Sequence, residues 1–187
     1  MFIAEQKKRD NIAEYLLYMW QLEDILRAFE LDIDKVQQRL IDTTNHSDEK
    51  KEAARQWYTK LIEQMKLEGV EKVGHLNQNK ELLDDLNLVH SQLIKNANET
   101  EYIETYYKTL QYIHELKYIE TYFKTLPFIQ ELRGKSKSQD LPEIEICFTA
   151  LYGFLLLKLQ KREVSPDTAS AISQISNLLR SLSEKYN

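Results

Sequence analysis

The sequence of 187 residues contains one cysteine, four glycines and three prolines. A single cysteine, Cys147, excludes an internal disulfide framework and a zinc site built from several thiolates. Sheet proteins need many turns, and turns rely on glycine and proline, so their scarcity favours a few long helices. The longest apolar segment, residues 147–159, is also shorter than the roughly 20 residues with which a helix spans a bilayer.

The charge of the chain is mildly acidic, with 25 basic and 30 acidic residues and a net charge of −5. Neither half of the chain concentrates the basic residues, so the sequence lacks the basic arm or patch typical of nucleic-acid binding. Charged residues directly follow residues 1–4, which is the reverse of the order in a secretory signal. We therefore expect a cytoplasmic protein that binds neither nucleic acid nor membrane.

Two apolar segments organise the predicted fold. Residues 12–29 carry apolar side chains at helical spacing, and residues 147–159 are apolar around almost the whole circumference of a helix, which is typical of an enclosed helix. A chain of 22.2 kDa fits one domain and buries about 70% of its surface on folding, enough for a core. The sequence predicts an all-α, single-domain bundle of about six to eight helices around a fully apolar central helix, with the two apolar helices packed together.

An internal repeat covers residues 102–116 and 118–132, where 11 of 15 positions are identical at a spacing of 16. Two copies are too few for a solenoid, so a local duplication is the simplest account. Either one long helix passes through both copies or the chain breaks near residues 116–118. We favour one long helix with a kink or stop near Pro127, because proline removes a backbone donor and clashes with the preceding turn. Residues 134–141 are the expected loop.

Four segments carry a family resemblance: residues 11–24, the tripeptide Gly74-His75-Leu76, residues 126–133 and residues 145–153. They resemble a bacterial family of all-helical proteins catalogued as a domain of unknown function, DUF4924. The resemblance covers essentially the whole chain and implies an all-helical protein with no assigned activity, so it supplies no catalytic residue. The tandem repeat departs from the family pattern, so the helix count of the family is not transferred.

Glu23 is the charged residue with the most unusual predicted position. It projects onto the edge of the apolar face of the first helix, beside Trp20, and Arg27 lies one turn further on. A carboxylate–guanidinium pair at this spacing either lines a pocket for a small molecule or orients buried polar groups as a structural ion pair. The structural pair is the more common use of the spacing.

The tyrosines and histidines give weaker signals. Many of the 11 tyrosines lie in the repeat, and Tyr106 and Tyr122 are our candidates for an aromatic groove, with half-buried packing as the simpler alternative. The four histidines show no metal-ligand spacing, and His75 and His90 would meet a metal only if the fold brought them together with Asp84 or Asp85. We predict no metal site, no cofactor and no catalytic residue.

The leading functional hypothesis is a non-catalytic binding or assembly module. Its partner is a second copy, held through the last helix or the tyrosine-rich repeat, or another protein. The alternative is a small-molecule binder or enzyme with a pocket between helices lined by Trp20, Glu23 and Arg27. The sequence has no phosphate-binding loop, nucleophile elbow or zinc-protease motif, so we lean away from an enzyme.

Overall fold

A computed structural model describes residues 2–124 and 141–186, with side chains for residues 3–116 and 141–186, and in these ranges the chain is helical without strands. The eight α-helices are α1 Phe2–Asp10, α2 Ile12–Ala28, α3 Ile33–Val36, α4 Asp48–Leu67, α5 Asn77–Leu93, α6 Thr100–Lys124, α7 Glu143–Leu159 and α8 Pro166–Tyr186. A π-helical turn over Gln37–Ile41 follows α3. The all-α fold and the helix number are confirmed. No helix within this part of the chain has the length and apolar character needed to cross a membrane.

The chain divides into two compact units. Unit 1 comprises Met1–Asp10 and Glu14–Lys80, and unit 2 comprises Asn11–Ala13 and Glu81–Asn187. The two apolar helices of the sequence, α2 and α7, thus fall largely in different units. Their packing on one another stays a prediction.

Unit 1 is built on the apolar face of α2. Met19, Leu22 and Leu26 follow one another at helical spacing and are at most 2% exposed, as a stripe that faces a core requires. The side chains that share this core include Leu61, Ile62, Met65, Val70 and Leu76 from α4 and the segment after it, and Ala4, Leu31, Val36 and Ile41. Asp32 caps α3, because its Oδ1 accepts a hydrogen bond from the Asp34 amide at 2.8 Å.

In unit 2, α6 packs against α8 in the antiparallel sense. The Thr109 hydroxyl, which donates to the carbonyl of Thr105 on its own helix at 2.8 Å, lies 3.3 Å from the carbonyl of Gln174, and Lys185 pairs with Glu99 at 2.6 Å. The face of α8 that lies toward this interior carries Ile175, Leu178, Leu179 and Leu182, all buried. The chain itself covers these side chains, and self-association through the last helix stays a prediction.

Burial along α7 is uneven. The side chains of its first turns, Ile144, Ile146, Cys147 and Phe148, are at most 4% exposed. In the last turns Leu156 is 37% exposed and Leu159 is 72% exposed. The first turns of α7 are therefore enclosed, as expected for an apolar helix, whereas its last turns are not.

The repeat lies largely on α6, which continues without a break through the junction between the two copies as far as Lys124. The prediction of one long helix is confirmed to that point. The expected kink at Pro127 and the expected loop, apart from its last residue, lie outside the described residues.

Two neighbouring positions on α4 test the core of unit 1. Met65 is 0% exposed and Leu67 is 88% exposed. We expect Met65→Ala to lower the free energy of unfolding by about 2–5 kcal/mol, because it removes buried methylenes and leaves a cavity, and Leu67→Ala to change it by less than about 0.5 kcal/mol. Urea unfolding followed by tryptophan fluorescence is the measurement, since Trp20 and Trp57 both lie in unit 1. Equal losses for the two variants would contradict this packing.

Candidate functional site

The carboxylate of Glu23 is buried, with the residue only 1% exposed. Its Oε1 accepts hydrogen bonds from the Leu76 amide at 3.0 Å and from Asn79 Nδ2 at 2.7 Å, and its Oε2 lies 2.6 Å from His75 Nδ1. Leu76 and Asn79 flank the first residue of α5, so the charge lies at the positive end of that helix. These partners offset the desolvation of a buried carboxylate, which is costly when the charge is unpaired.

The imidazole of His75 lies flat on the indole of Trp20. The ring centroids are 4.1 Å apart and the planes differ by 12°. The His75 side chain is 32% exposed, so stacking and the hydrogen bond to Glu23 fix a ring that solvent reaches. An imidazole oriented by a carboxylate can transfer a proton or ligate a metal through its other nitrogen. No group of three or more His, Cys, Asp or Glu side chains within the described ranges is placed to hold a metal ion.

The predicted Glu23–Arg27 ion pair is wrong. The Arg27 guanidinium pairs with Asp24 at 2.7 Å, and it also donates to the carbonyl of Val70, from Nε at 3.3 Å and Nη2 at 3.1 Å, and to the carbonyl of Gly74. A guanidinium carries five donors and suits several carbonyls at once. Arg27 therefore binds the backbone of the segment between α4 and α5, and Glu23 binds where the same segment enters α5.

The candidates Trp20, Glu23 and Arg27 thus lie together on one side of α2, as predicted, and all three contact residues 70–79 of the same unit. This arrangement favours the structural interpretation of the site. One atom does not fit the structural interpretation: the buried Oδ1 of Asn79 has no hydrogen-bond partner among the described residues. A ligand role for the three residues stays a prediction.

A second polar cluster lies in unit 2, and the sequence revealed only part of it. His90 is 4% exposed, and its Nδ1 lies 2.7 Å from the hydroxyl of Tyr102. Its Nε2 lies 3.4 Å from Glu143 Oε2, the atom to which the Tyr106 hydroxyl donates at 2.9 Å. The cluster joins α5, α6 and the first residue of α7. The available signal was the spacing of Tyr102 and Tyr106, which places both on one face of α6.

Burial keeps the two tyrosines of this cluster and the neighbouring Cys147 thiol neutral. It raises the pKa of the Tyr106 phenol to about 12, with the hydrogen bond to Glu143 as the next cause. It also raises the pKa of the Cys147 thiol to about 12, with the charge of Glu143 second, and raises the pKa of Tyr102. A buried thiol with a raised pKa is a poor nucleophile. The cluster has the character of a structural network, and the side chain of Tyr122, the remaining candidate, lies outside the described ones.

Replacing the buried carboxylate tests the first cluster. We expect Glu23→Ala to lower the free energy of unfolding of unit 1 by about 3 kcal/mol, since the buried amides of Leu76 and Asn79 lose their acceptor. The control is Glu14→Ala on the same helix, where the surface pair with Lys7 contributes at most about 1 kcal/mol. Urea unfolding by tryptophan fluorescence measures both. A loss of stability for Glu23→Ala no larger than that for Glu14→Ala would disprove the role of Glu23 as the acceptor for these two amides.

Alkaline titration tests the second cluster. The folded pKa of Tyr106, about 12, exceeds its ordinary value of 10.0, so its contribution to stability is present below pH 10 and disappears as the pH rises toward 12. The difference in tyrosinate absorbance between the wild type and Tyr106→Phe should show one phenol that titrates near pH 12. In the urea-unfolded proteins the same difference should return to the ordinary value. A midpoint near 10 in the folded protein would exclude the buried contact with Glu143.

Comparison with known proteins yields one family. The family model described as Domain of unknown function (DUF4924) matches residues 1–118 and 110–187. The two matches overlap over residues 110–118, where the first copy of the repeat meets the second. No curated protein matches the chain, and no solved structure matches it.

Proposed function

Since this chain belongs to the DUF4924 family over its full length, whose description names no activity, we propose from its own geometry that it is a non-catalytic assembly module. It associates with a second copy of itself through the last turns of α7. The observation that carries the proposal is the exposure of apolar side chains there, because contiguous exposed apolar surface marks sites of association. The cytoplasmic location predicted from the sequence remains a prediction.

The exposed surface lies on one side of α7. Leu156 and Leu159 are three residues apart and therefore neighbours on a helix, with exposures of 37% and 72%. Gly153 precedes Leu156 by one turn, and a Cβ added there would meet no atom of the described chain within 4 Å. The Lys158 ammonium lies 4.8 Å from the centroid of the Phe154 ring, at the border of the leucines. The described chain therefore leaves space beside Gly153 for an atom of a second molecule.

The charges around the leucines suit self-association. Lys158, Lys161 and Arg162 are followed by Glu163 and Asp167, and all five are exposed. Both signs thus stand close to the two leucines in the sequence. Two copies can place opposite charges against one another, whereas a border of a single sign would repel its own copy.

The polar clusters support a non-catalytic role. In unit 1 the carboxylate of Glu23 and the guanidinium of Arg27 bind the segment between α4 and α5. In unit 2 His90 and Glu143 bind two tyrosines of α6. Groups that could do acid–base chemistry thus hold helices together, and the surface left for a partner is apolar.

A small-molecule site at Trp20, Glu23 and Arg27 is the second candidate. The buried acceptor Asn79 Oδ1 favours it, because a ligand with a donor group would satisfy that atom. Such a ligand would raise the melting temperature of unit 1, since it binds only the folded form. Asn79→Ala, which removes that acceptor, would abolish the rise, and a rise retained in the variant would exclude this role of Asn79.

Charged substitutions on α7 test the assembly proposal. Sedimentation should show a mass that rises with concentration above the 22.2 kDa of the monomer. The double variant Leu156→Glu, Leu159→Glu should remain monomeric, because charge on both sides of the contact opposes desolvation. Leu88→Glu is the matched control, since Leu88 is a 58% exposed leucine of the same unit on α5. A wild type that stays monomeric, or a Leu88 variant with the same effect, would overturn the proposal.

A further inference from the structure

The first copy of the repeat binds to a defined set of groups in unit 2, which we call the repeat seat. The seat consists of His90, Glu143 and the carbonyl of Gln174. His90 and Glu143 bind the hydroxyls of Tyr102 and Tyr106, and the Gln174 carbonyl lies 3.3 Å from the Thr109 hydroxyl, which also donates to Thr105 within α6. Tyr102, Thr109 and Ile113 are the buried residues of the first copy, each at most 1% exposed. The seat thus contacts three hydroxyls on one face of α6, and Ile113 is buried on the same helix.

The second copy carries the same four side chains. Sixteen residues further on stand Tyr118, Tyr122, Thr125 and Ile129. The copies differ only at the positions of residues 107, 111, 112 and 114. In the first copy three of these positions are exposed and the position of residue 112 is half-buried. The differences therefore avoid the buried positions, and the second copy has the composition that the seat binds.

We propose that the repeat seat accepts either copy, so that the second copy is a spare occupant held on the same chain. In the structure the first copy occupies the seat. The exchange moves α6 along its own sequence by 16 residues, the spacing of the repeat. No other contact partner is needed, since the side chains offered to His90, Glu143 and Gln174 are the same in both registers. The proposal does not depend on self-association through α7.

The connections on either side of the seat are long enough for both registers. Residues 117–142 join the first copy to α7, and residues 133–142 would join the second copy to it. Ten extended residues reach about 33 Å. This reach exceeds the length of a 15-residue helix, which is about 22 Å. Residues 102–117 would then lengthen the connection between α5 and α6 by 16 residues. Because the entropy of loop closure depends only on the logarithm of loop length, this shift changes the balance little.

Pro127 decides which copy is preferred. It stands where the first copy has Gln111, and a proline in the interior of a helix removes one hydrogen bond and clashes with the turn before it. Tyr118, Tyr122 and Thr125 precede the proline, so three of the four seat contacts are compatible with it. The first copy is therefore the favoured occupant, and Pro127→Gln should bring the two copies close to balance.

Two deletions of equal length test whether the second copy fits. Deleting residues 118–133 leaves the first copy alone, and deleting residues 102–117 leaves the second copy directly after Glu101. Circular dichroism should show that the second variant keeps a cooperative melt, and that Pro127→Gln raises its melting temperature toward that of the first. Loss of the unit 2 helices in the Pro127→Gln form, with the tryptophan signal of unit 1 unchanged, would overturn the proposal.

A buried charge in the first copy tests the exchange in the complete chain. Ile113→Asp places a carboxylate at a position that is 0% exposed. Without residues 118–133 it should lower the melting temperature by about 10 °C or more. In the complete chain the loss should be less than half as large, because the second copy replaces the damaged one. Leu178→Asp is the matched control, since Leu178 is also 0% exposed and has no spare copy. Equal losses for Ile113→Asp in both backgrounds would overturn the proposal.

Discussion

The burial of one negative charge is the constraint on which unit 1 depends. Glu23 lies inside the apolar face of α2, and an isolated carboxylate there would be strongly destabilising. Its partners are the imidazole of His75, the amide of Leu76 and the side chain of Asn79. Meeting this requirement fixes where the chain enters α5 and holds the preceding segment against α2. Apolar packing could accept many positions of that segment, whereas the three bonds specify one.

Local signals predicted the helices well, because they arise within a few residues. The apolar spacing of Met19, Leu22 and Leu26 describes the face that is buried. Ser165 and Pro166 are a local start signal for α8, and the Ser165 hydroxyl accepts a hydrogen bond from the Thr168 amide at 3.1 Å. Capping and periodicity require no knowledge of the rest of the fold. The local structure that these two signals indicate is therefore also found in the folded chain.

The partners of the polar residues could not be predicted in the same way. Spacing along α2 offered Arg27 to Glu23, yet the actual partners stand 52 to 56 positions away in the sequence. An i, i+4 pair contributes only a few tenths of a kcal/mol on an exposed helix, whereas a buried carboxylate needs hydrogen bonds on both oxygens. The same holds for His90 and Glu143, which tertiary packing joins through Tyr106. The sequence also shows that α7 is apolar but not which of its turns other helices cover.

The stack of Trp20 on His75 links the fluorescence of Trp20 to the contact between α2 and the segment between α4 and α5. An indole in van der Waals contact with an imidazole emits differently from one that has lost it, and a protonated imidazole would place a cation against the ring face. Of the two tryptophans, Trp57 contacts Tyr58 edge to face instead. Trp20 is thus an intrinsic fluorescence probe of whether this segment contacts α2, and no added label is needed.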